Sequence, residues 1–284
     1  MVCLSSYNNY MKKYFLPLIT IILLAACNDV QQNKRTIMVS IEPLRFLTEE
    51  IAGDRFHVTT MVPEGMSPET YEPTAQQMIQ LAQSDMYIKV GSIGFEQAWM
   101  KRMEANAPHT LIINASEGIT PVKSSGGHED PHTWMSANNA MVMAHNICRA
   151  LMAIDHSDST YFKERKEKLC EKIRDTDLKV RRQLTKDKKT VFLIYHPTLT
   201  YFAHEYGLKQ IAIEEEGREP SSAQTLNVIR QAKKEGVKVL FVQQQFNIKN
   251  TRAVSSAVGA TQVQINPLNY DWCEEMVHVA ESLY

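Results

Sequence analysis

The sequence lacks the features that mark several large classes of protein. Its 284 residues carry a formal net charge of -1, so no excess of basic side chains favours a nucleic-acid partner. No internal repeat or low-complexity segment is present, which argues against repeat arrays and fibrous proteins. After one apolar run near the start, no hydrophobic stretch approaches the ~20 residues that a membrane-spanning helix needs. The length fits one large or two ordinary domains, and 44% hydrophobic residues are enough for a packed core.

Familiar catalytic motifs are missing as well. We find no Gly-x-Ser-x-Gly nucleophile elbow, no His-Glu-x-x-His helix and no glycine-rich phosphate loop. Cysteine is scarce: beyond the N-terminal Cys3 and Cys27, only Cys148, Cys170 and Cys273 occur, at a spacing that matches no zinc ribbon. We predict at most one disulfide among these three and interpret them mainly as small buried side chains.

Residues 1–26 have the pattern of a bacterial export signal. Two lysines precede an apolar run, Tyr14 to Ala26, which is too short to span a membrane and ends Leu-Ala-Ala-Cys. This ending resembles a lipobox, so we expect lipidation at Cys27; an ordinary signal peptide with an incidental cysteine is the alternative. Polar residues 27–35 are then predicted to form a flexible tether. The expected location is extracytoplasmic, anchored to a bacterial membrane on the periplasmic side or the cell surface.

From Thr36 onward, short apolar runs alternate with helical stretches. Strands are predicted at 37–41, 58–62, 86–90, 110–113, 191–195, 211–213, 237–242 and 262–265. Helices are predicted at 44–52, 74–83, 95–104, 136–154, 159–185, 198–205, 221–234, 249–258 and 271–283, with Ser136 as an N-cap. Strands separated by helices of this length indicate right-handed βαβ units and parallel sheets.

The long helix predicted from Ser159 contains no Gly or Pro and lies between the two series of strands and helices. Its charged run, residues 163–168, is typical of a solvated face. We interpret residues 157–187 as a rigid connector between two lobes, 36–156 and 188–284, hinged about a cleft. The predicted fold class is therefore α/β, with a parallel sheet flanked by helices in each lobe.

Ligands of parallel α/β sheets bind beyond the carboxyl ends of the strands, and this rule selects four segments. Glu69 lies in the proline-rich loop after the second predicted strand, and His132 follows the fourth. His196 directly follows the fifth strand, while Asn266 and Asp271 follow the last one. Two imidazoles with one or two carboxylates, each on a separate loop, form a ligand set suited to a divalent transition metal.

Two further side chains belong to the segment around His132. His128 lies beside two glycines, four residues earlier, and is a candidate for a mobile auxiliary ligand. Trp134 follows closely and is able to exclude water from the imidazole.

Four motifs then follow one another in an order typical of a known family. They are Gly65-x3-Glu69-x-Tyr71-Glu72-Pro73, Asp130-Pro131-His132-x-Trp134, His196-Pro197-x3-Tyr201-Phe202-x3-Tyr206-Gly207-Leu208 and Glu219-Pro220-Ser221. Over essentially the whole mature chain, the protein resembles the periplasmic zinc and manganese solute-binding lipoproteins of ABC metal importers, the ZnuA-like and TroA-like cluster A-I. The resemblance implies two α/β lobes joined by one long helix, a metal between them and an ABC-type permease as partner.

The resemblance also implies roles for individual residues. Asp130 and Pro131 would be the scaffold that aims His132, with Asp130 accepting a hydrogen bond from nearby backbone or from the other imidazole nitrogen. The chain departs from the family pattern at two positions, because Glu69 replaces the usual first histidine and Asn266 replaces the aspartate before Pro-Leu. Asp271, a few residues on, would substitute for that aspartate through a shifted loop.

The sequence thus predicts a binding protein rather than an enzyme, expected as a monomer, that captures a divalent metal and delivers it to a permease. Zn2+ is the first expectation and Mn2+ or Fe2+ the alternatives, because a carboxylate at Glu69 makes the ligand set harder although affinity still rises toward zinc. Two other functions stay open. One is a surface adhesin or structural lipoprotein with a degenerate metal site. The other is a metal-dependent hydrolase with Glu69 or Asp271 as general base.

Overall fold

The computed structural model describes residues 35–124, 127–184, 191–214, 220–245 and 249–284. The predicted signal peptide, the lipidation site Cys27 and the tether up to residue 34 lie outside these ranges. Within them, no helix combines the length and the hydrophobicity needed to cross a membrane.

The first half of the described chain forms a parallel sheet with strand order β2-β1-β3-β4. Its elements are β1 (Arg35–Val39), α1 (Glu42–Ala52), β2 (Phe56–Thr60), α2 (Ala75–Gln83), β3 (Met86–Lys89), α3 (Gly94–Asn106), β4 (Leu111–Asn114) and α4 (Ala137–Ile154). Ser136 accepts a hydrogen bond from the Asn139 amide and is therefore the predicted N-cap of α4.

The second half repeats this arrangement, with strand order β6-β5-β7-β8, again all parallel. After the long α5 (Ser159–Leu184) come β5 (Val191–Ile194), α6 (Thr200–Tyr206), β6 (Lys209–Ala212), α7 (Ser222–Lys234), β7 (Val239–Gln243), α8 (Lys249–Val258), β8 (Thr261–Ile265) and α9 (Trp272–Glu281). The predicted α/β class with two parallel sheets is confirmed. The domain boundaries at residues 156/157 and 187/188 stay a prediction.

All predicted elements are present in the described residues, with ends shifted by no more than two positions. The strands β1 and β2 both end earlier than the sequence predicts. Ile41 and Val62, which extend the apolar runs of these strands, are buried in the loops that follow. Hydrophobic residues at the carboxyl edge of the sheet thus continue the core rather than the strand.

Helix α5 joins the two halves, as predicted. It packs against α1 and α4 of the first half and against α9 of the second. A buried stripe that includes Phe162, Leu169 and Ile173 faces these neighbours, and most of the charged run faces solvent. Lys166 is an exception, since it is buried and its Nζ lies 2.6 Å from Glu167 Oε1.

One hydrophobic core extends across both sheets, which the sequence did not predict, and a second, smaller core that includes Leu193 and Leu240 belongs to the second half alone. A single cluster of buried side chains runs from the β1–β4 sheet to Phe192, Phe241 and Trp272 in the second half. Trp134 Nε1 donates to the Pro267 carbonyl at 2.7 Å, and Trp272 Nε1 donates to the Trp134 carbonyl at 2.7 Å. These reciprocal bonds and the shared core pack the halves against each other. The predicted hinge stays a prediction.

Cysteine plays no covalent part in the described fold. Cys148, Cys170 and Cys273 are all free thiols, the first two buried and the third partly buried. Burial raises the pKa of each thiol. This agrees with the interpretation of these residues as small buried side chains.

Candidate metal centre

Three predicted side chains meet where the carboxyl ends of the two sheets face each other. Glu69 follows β2, His132 follows β4 and His196 follows β5. One potential ligand atom of each residue lies within 4.8 Å of those of the other two. Among the described residues, these three are the group found close enough together to hold one metal ion. His132 Nε2 is 3.7 Å from Glu69 Oε1, and the two imidazole centroids are 5.2 Å apart. A carboxylate and two imidazoles at these distances can share one cation.

His132 is held by Asp130 in the way the resemblance implies. Asp130 Oδ1 accepts from the His132 amide at 2.9 Å and lies 2.8 Å from the ring Nδ1. Because a carboxylate only accepts, Nδ1 carries a ring proton, and in the neutral imidazole the lone pair of Nε2 faces Glu69. The Trp134 ring packs edge-on at 5.3 Å, and His132 is only 3% exposed. The imidazole therefore has one orientation and little contact with water.

Asp130 also connects the two halves of the fold. Its Oδ2 accepts from Thr200 Oγ1 at 2.6 Å, and its carbonyl accepts from Tyr201 Oη at 3.1 Å. Burial would raise the pKa of Asp130, but the adjacent His132 outweighs this and lowers it. Burial would likewise lower the pKa of His132, yet Asp130, with Glu69 and Glu214, raises it. Asp130 is therefore ionised at neutral pH and carries the negative charge of the pair.

His196 is positioned by two residues that sequence reasoning missed. Gln243, the last residue of β7, receives a hydrogen bond from the His196 amide at 3.3 Å and donates to the His196 carbonyl. Glu214 lies beyond β6, with its Oε1 3.4 Å from the ring Nδ1 of His196. Both residues sit at carboxyl ends of strands, so the rule that selected His196 also points to them. Glu214 opens a run of three glutamates, a pattern that is typical of a solvated surface.

Glu69 is placed by close packing of its loop on the first turn of α3. The Phe95 amide donates to the Pro68 carbonyl at 3.0 Å. A Cβ at Gly94 would lie 2.4 Å from the Glu69 carbonyl oxygen and 2.9 Å from its Oε2, so only glycine fits there. Glu69 Oε1 is buried and has no hydrogen-bond partner within the described part of the chain. A buried acceptor without a donor is costly, and a bound cation would satisfy it.

We predict that Gly94→Ala weakens metal binding by displacing Glu69. The added methyl group would overlap backbone as well as the side chain, so the loop has to move. Such overpacking costs about 1–3 kcal/mol of folding free energy. Calorimetry should show a lower zinc affinity, and chemical denaturation a lower free energy of unfolding. Gly118→Ala is the control for metal affinity, because the space around its Cβ position is open. Its φ of 83° makes alanine costly there too, so the free energy of unfolding should fall in both variants and only the affinities should differ. A loss of affinity as large in this control would contradict the local explanation.

The other candidate ligands lie outside the group of three. Asp271 is the N-cap of α9, where its Oδ1 accepts from the Glu274 amide at 3.0 Å, and it lines a separate surface cavity beside Lys172. Asn266 is closer, since the adjacent Pro267 lines the cleft, but its Oδ1 accepts from the Leu268 amide at 3.3 Å and from Gln245 Nε2 at 3.4 Å. Helix capping thus engages one carboxylate oxygen of Asp271, and turn formation engages the side-chain oxygen of Asn266. Their assignment as metal ligands stays a prediction.

His128 is exposed in the loop before His132 and is not part of the group either. An isolated antiparallel bridge between Lys123 and Glu129 closes this loop. The expected role as auxiliary ligand stays a prediction.

The surroundings of the group favour a cation. The described residues lining the cleft are Ser67, Pro68, Glu69, His132, Trp134, His196, Thr198, Gln243, Gln245, Pro267 and Leu268. None of these is a lysine or arginine, and the carboxylates of Asp130 and Glu214 lie just behind the two rings. Three carboxylates around two imidazoles, beside apolar walls, strengthen the attraction for a divalent ion.

Comparison with known proteins agrees with this geometry. The family model "Zinc-uptake complex component A periplasmic" matches residues 37–284. The chain belongs to this family. A crystal structure of a ZnuA protein has 31% sequence identity and a TM-score of 0.83, covering 87% of this chain and 96% of that one.

The curated relatives are named for different metals. The high-affinity zinc uptake system protein ZnuA of Bacillus subtilis is 26% identical over 87% of this chain and 85% of its own length. The manganese ABC transporter substrate-binding lipoprotein PsaA of Streptococcus anginosus is also 26% identical, over 84% of this chain and 82% of its own. Relatives of this family are therefore transport proteins, and membership alone leaves open the choice between zinc and manganese.

Proposed function

We propose that this protein is a lipid-anchored extracytoplasmic binding protein that takes up one divalent transition-metal ion and delivers it to an ABC-type permease. The observation that carries the proposal is the convergence of Glu69, His132 and His196 from both halves of the fold. Membership in a family of zinc-uptake components supports it. The protein binds its cargo without converting it.

Zinc is the proposed cargo, with manganese and then iron as alternatives. Two imidazoles and one carboxylate form a known zinc ligand set, with the remaining position open to water or a second oxygen. Glu69 makes the set harder than three histidines would, which improves the fit to manganese without reversing the intrinsic preference for zinc. The names of the relatives include both metals.

Membership in the family supports both the anchor and the partner. Lipidation at Cys27 would hold the protein at the membrane that contains the permease, and several relatives are named lipoproteins. The residues between Cys27 and β1 would act as a flexible tether. We propose a monomer that docks on the permease with the open edge of the cleft.

Metal binding should weaken as the pH falls. A histidine ligand has to be neutral, so the metal competes with a proton on the imidazole. The unperturbed pKa is roughly 6.5, and that of His132 is raised, so competition begins above this pH in the metal-free protein. Zinc titrations between pH 8 and pH 5 should show a steady fall in affinity with proton release on binding. An affinity that is constant over this range would exclude imidazole ligands.

Growth under metal limitation tests the proposed function. A strain lacking this protein should grow poorly when zinc or manganese is removed by a chelator, and the addition of one of them should restore growth. Expression of the parent protein should also restore it, whereas expression of His196→Ala should not. Full rescue by that variant, at equal protein level, would contradict a transport role for the site.

A further inference from the structure

Glu214 lies next to His196 because the parallel pairing of β5 and β6 continues past both strands. The Ile213 amide donates to the Ile194 carbonyl, and the Glu214 amide donates to the Tyr195 carbonyl, each at 2.9 Å. This register brings residue 214 alongside residue 196 at the edge of the sheet. Glu214 is only 4% exposed, and its Oε1 is 3.4 Å from His196 Nδ1. Its Oε2 is buried and receives no hydrogen bond within the described residues.

A buried carboxylate oxygen without a hydrogen-bond donor is costly. The described residues that line the cleft offer no lysine or arginine to Glu214. An imidazole N–H on one side and a bound cation on the other would compensate for its burial. Glu214 therefore fits a metal centre better than it fits a purely structural core.

A closer version of this pairing occurs at the other histidine. There, the buried Asp130 faces Nδ1 of His132 at 2.8 Å and leaves Nε2 directed at Glu69. Metal-binding histidines generally donate their second N–H to a carboxylate or carbonyl, which fixes the tautomer and makes the ligating nitrogen more basic. The two histidines would thus be supported by one carboxylate each, from opposite halves of the fold.

We propose that Glu214 is the positioning residue of His196: it accepts the Nδ1 proton, selects the Nδ1–H tautomer and thereby presents Nε2 to the metal. This proposal rests on the proposed function of the site. Glu214 is not itself a ligand in this scheme. Although it contacts His196, it is not a member of the group of potential ligand atoms that lie within 4.8 Å of one another.

Two substitutions separate the charge of Glu214 from its hydrogen bond. Glu214→Gln keeps a carbonyl oxygen that can accept from Nδ1 but removes the charge, and Glu214→Met removes both at similar volume. Glu274→Gln changes an exposed carboxylate in the same half and is the control. Melting temperatures establish that each variant is folded before binding is measured.

Zinc titration of the metal-stripped variants should show graded losses. Supporting residues of metal ligands typically contribute about 10- to 100-fold in affinity. We expect a loss at the upper end of this range for Glu214→Met, a smaller loss for Glu214→Gln and none for Glu274→Gln. An affinity within twofold of the parent for Glu214→Met would overturn the proposal.

The tautomer of His196 distinguishes a positioning role of Glu214 from a purely structural one, because a purely structural role would leave the tautomer unchanged. In 15N NMR spectra of metal-free protein at pH 8, assigned with a His196→Gln variant, the parent should show Nδ1–H. Glu214→Gln should keep this tautomer, and Glu214→Met should shift to Nε2–H. The same tautomer in Glu214→Met as in the parent would contradict the assignment. This experiment needs no metal, so it decides the role of Glu214 even if the parent fails to bind zinc.

X-ray absorption at the zinc edge distinguishes positioning from direct ligation. The zinc-loaded parent and Glu214→Gln should have the same set of nearest neighbours. The loss of one oxygen neighbour in Glu214→Gln would overturn the positioning role in favour of a direct bond to zinc.

Discussion

Replacing His196 by alanine is expected to lower zinc affinity by more than about 100-fold, since even the supporting residues of metal ligands contribute 10- to 100-fold. Glu69 and His132 both come from the first half of the fold, so His196 supplies the imidazole from the second half. Without it, two donors remain on one side of the cleft. Calorimetric titration of metal-stripped protein measures the effect directly.

The exposed His204 on α6 provides a matched control. His204→Ala removes an imidazole from the same half without touching the group of three, and its affinity should equal that of the parent. Unchanged stoichiometry and affinity in His196→Ala would remove His196 from the site.

Replacing Asp130 by asparagine is expected to reduce both metal affinity and stability. The carboxylate is buried and accepts from the His132 amide, faces the His132 ring and accepts from Thr200 Oγ1. An amide of the same shape loses the charge and turns one acceptor into a donor. We expect an affinity loss of about 10- to 100-fold and a lower free energy of unfolding by about 1–3 kcal/mol.

Urea denaturation of the metal-free protein separates these two effects of Asp130→Asn. Asp175→Asn, an exposed aspartate on α5, is the control for removal of a carboxylate. The pKa of His132 should also fall in Asp130→Asn, because burial lowers this pKa and Asp130 is the main group that raises it. Parent-like stability together with parent-like affinity would contradict the role assigned to Asp130.

Much of the fold is predictable because its local signals agree with its tertiary structure. Alternating apolar runs and helical stretches locate every described strand and helix, and polar caps such as Ser136 mark helix starts. The shared core is not predictable in this way. Which face of each helix packs on the other half depends on contacts far apart in sequence, such as the bond between Trp134 and Pro267.

The candidate site is likewise predictable from the sequence only in part. Glu69, His132 and His196 each follow a strand directly, so position in the sequence places them at the edge where ligands bind. Asp271 obeys the same rule, yet the start of α9 uses its carboxylate as a cap. A side chain that can stabilise a helix end or bind a metal cannot be assigned from spacing alone.

Glu214 shows the opposite case, a residue that spacing did not select. Its neighbours in sequence are glutamates, and that run has the pattern of a solvated surface. Only the register of β6 on β5 shows that it turns inward beside His196. The supporting residues of a site are set by pairing between strands, and a one-residue change in that register would move them to the other face.

Diffraction from crystals grown with zinc, recorded at the zinc absorption edge, would locate the bound metal. We predict one strong anomalous peak in the cleft, about 2.0–2.1 Å from a nitrogen of both His132 and His196 and about 2.0–2.2 Å from an oxygen of Glu69. A peak at Asp271 or His128 without these three residues, or no peak in the cleft at all, would contradict it.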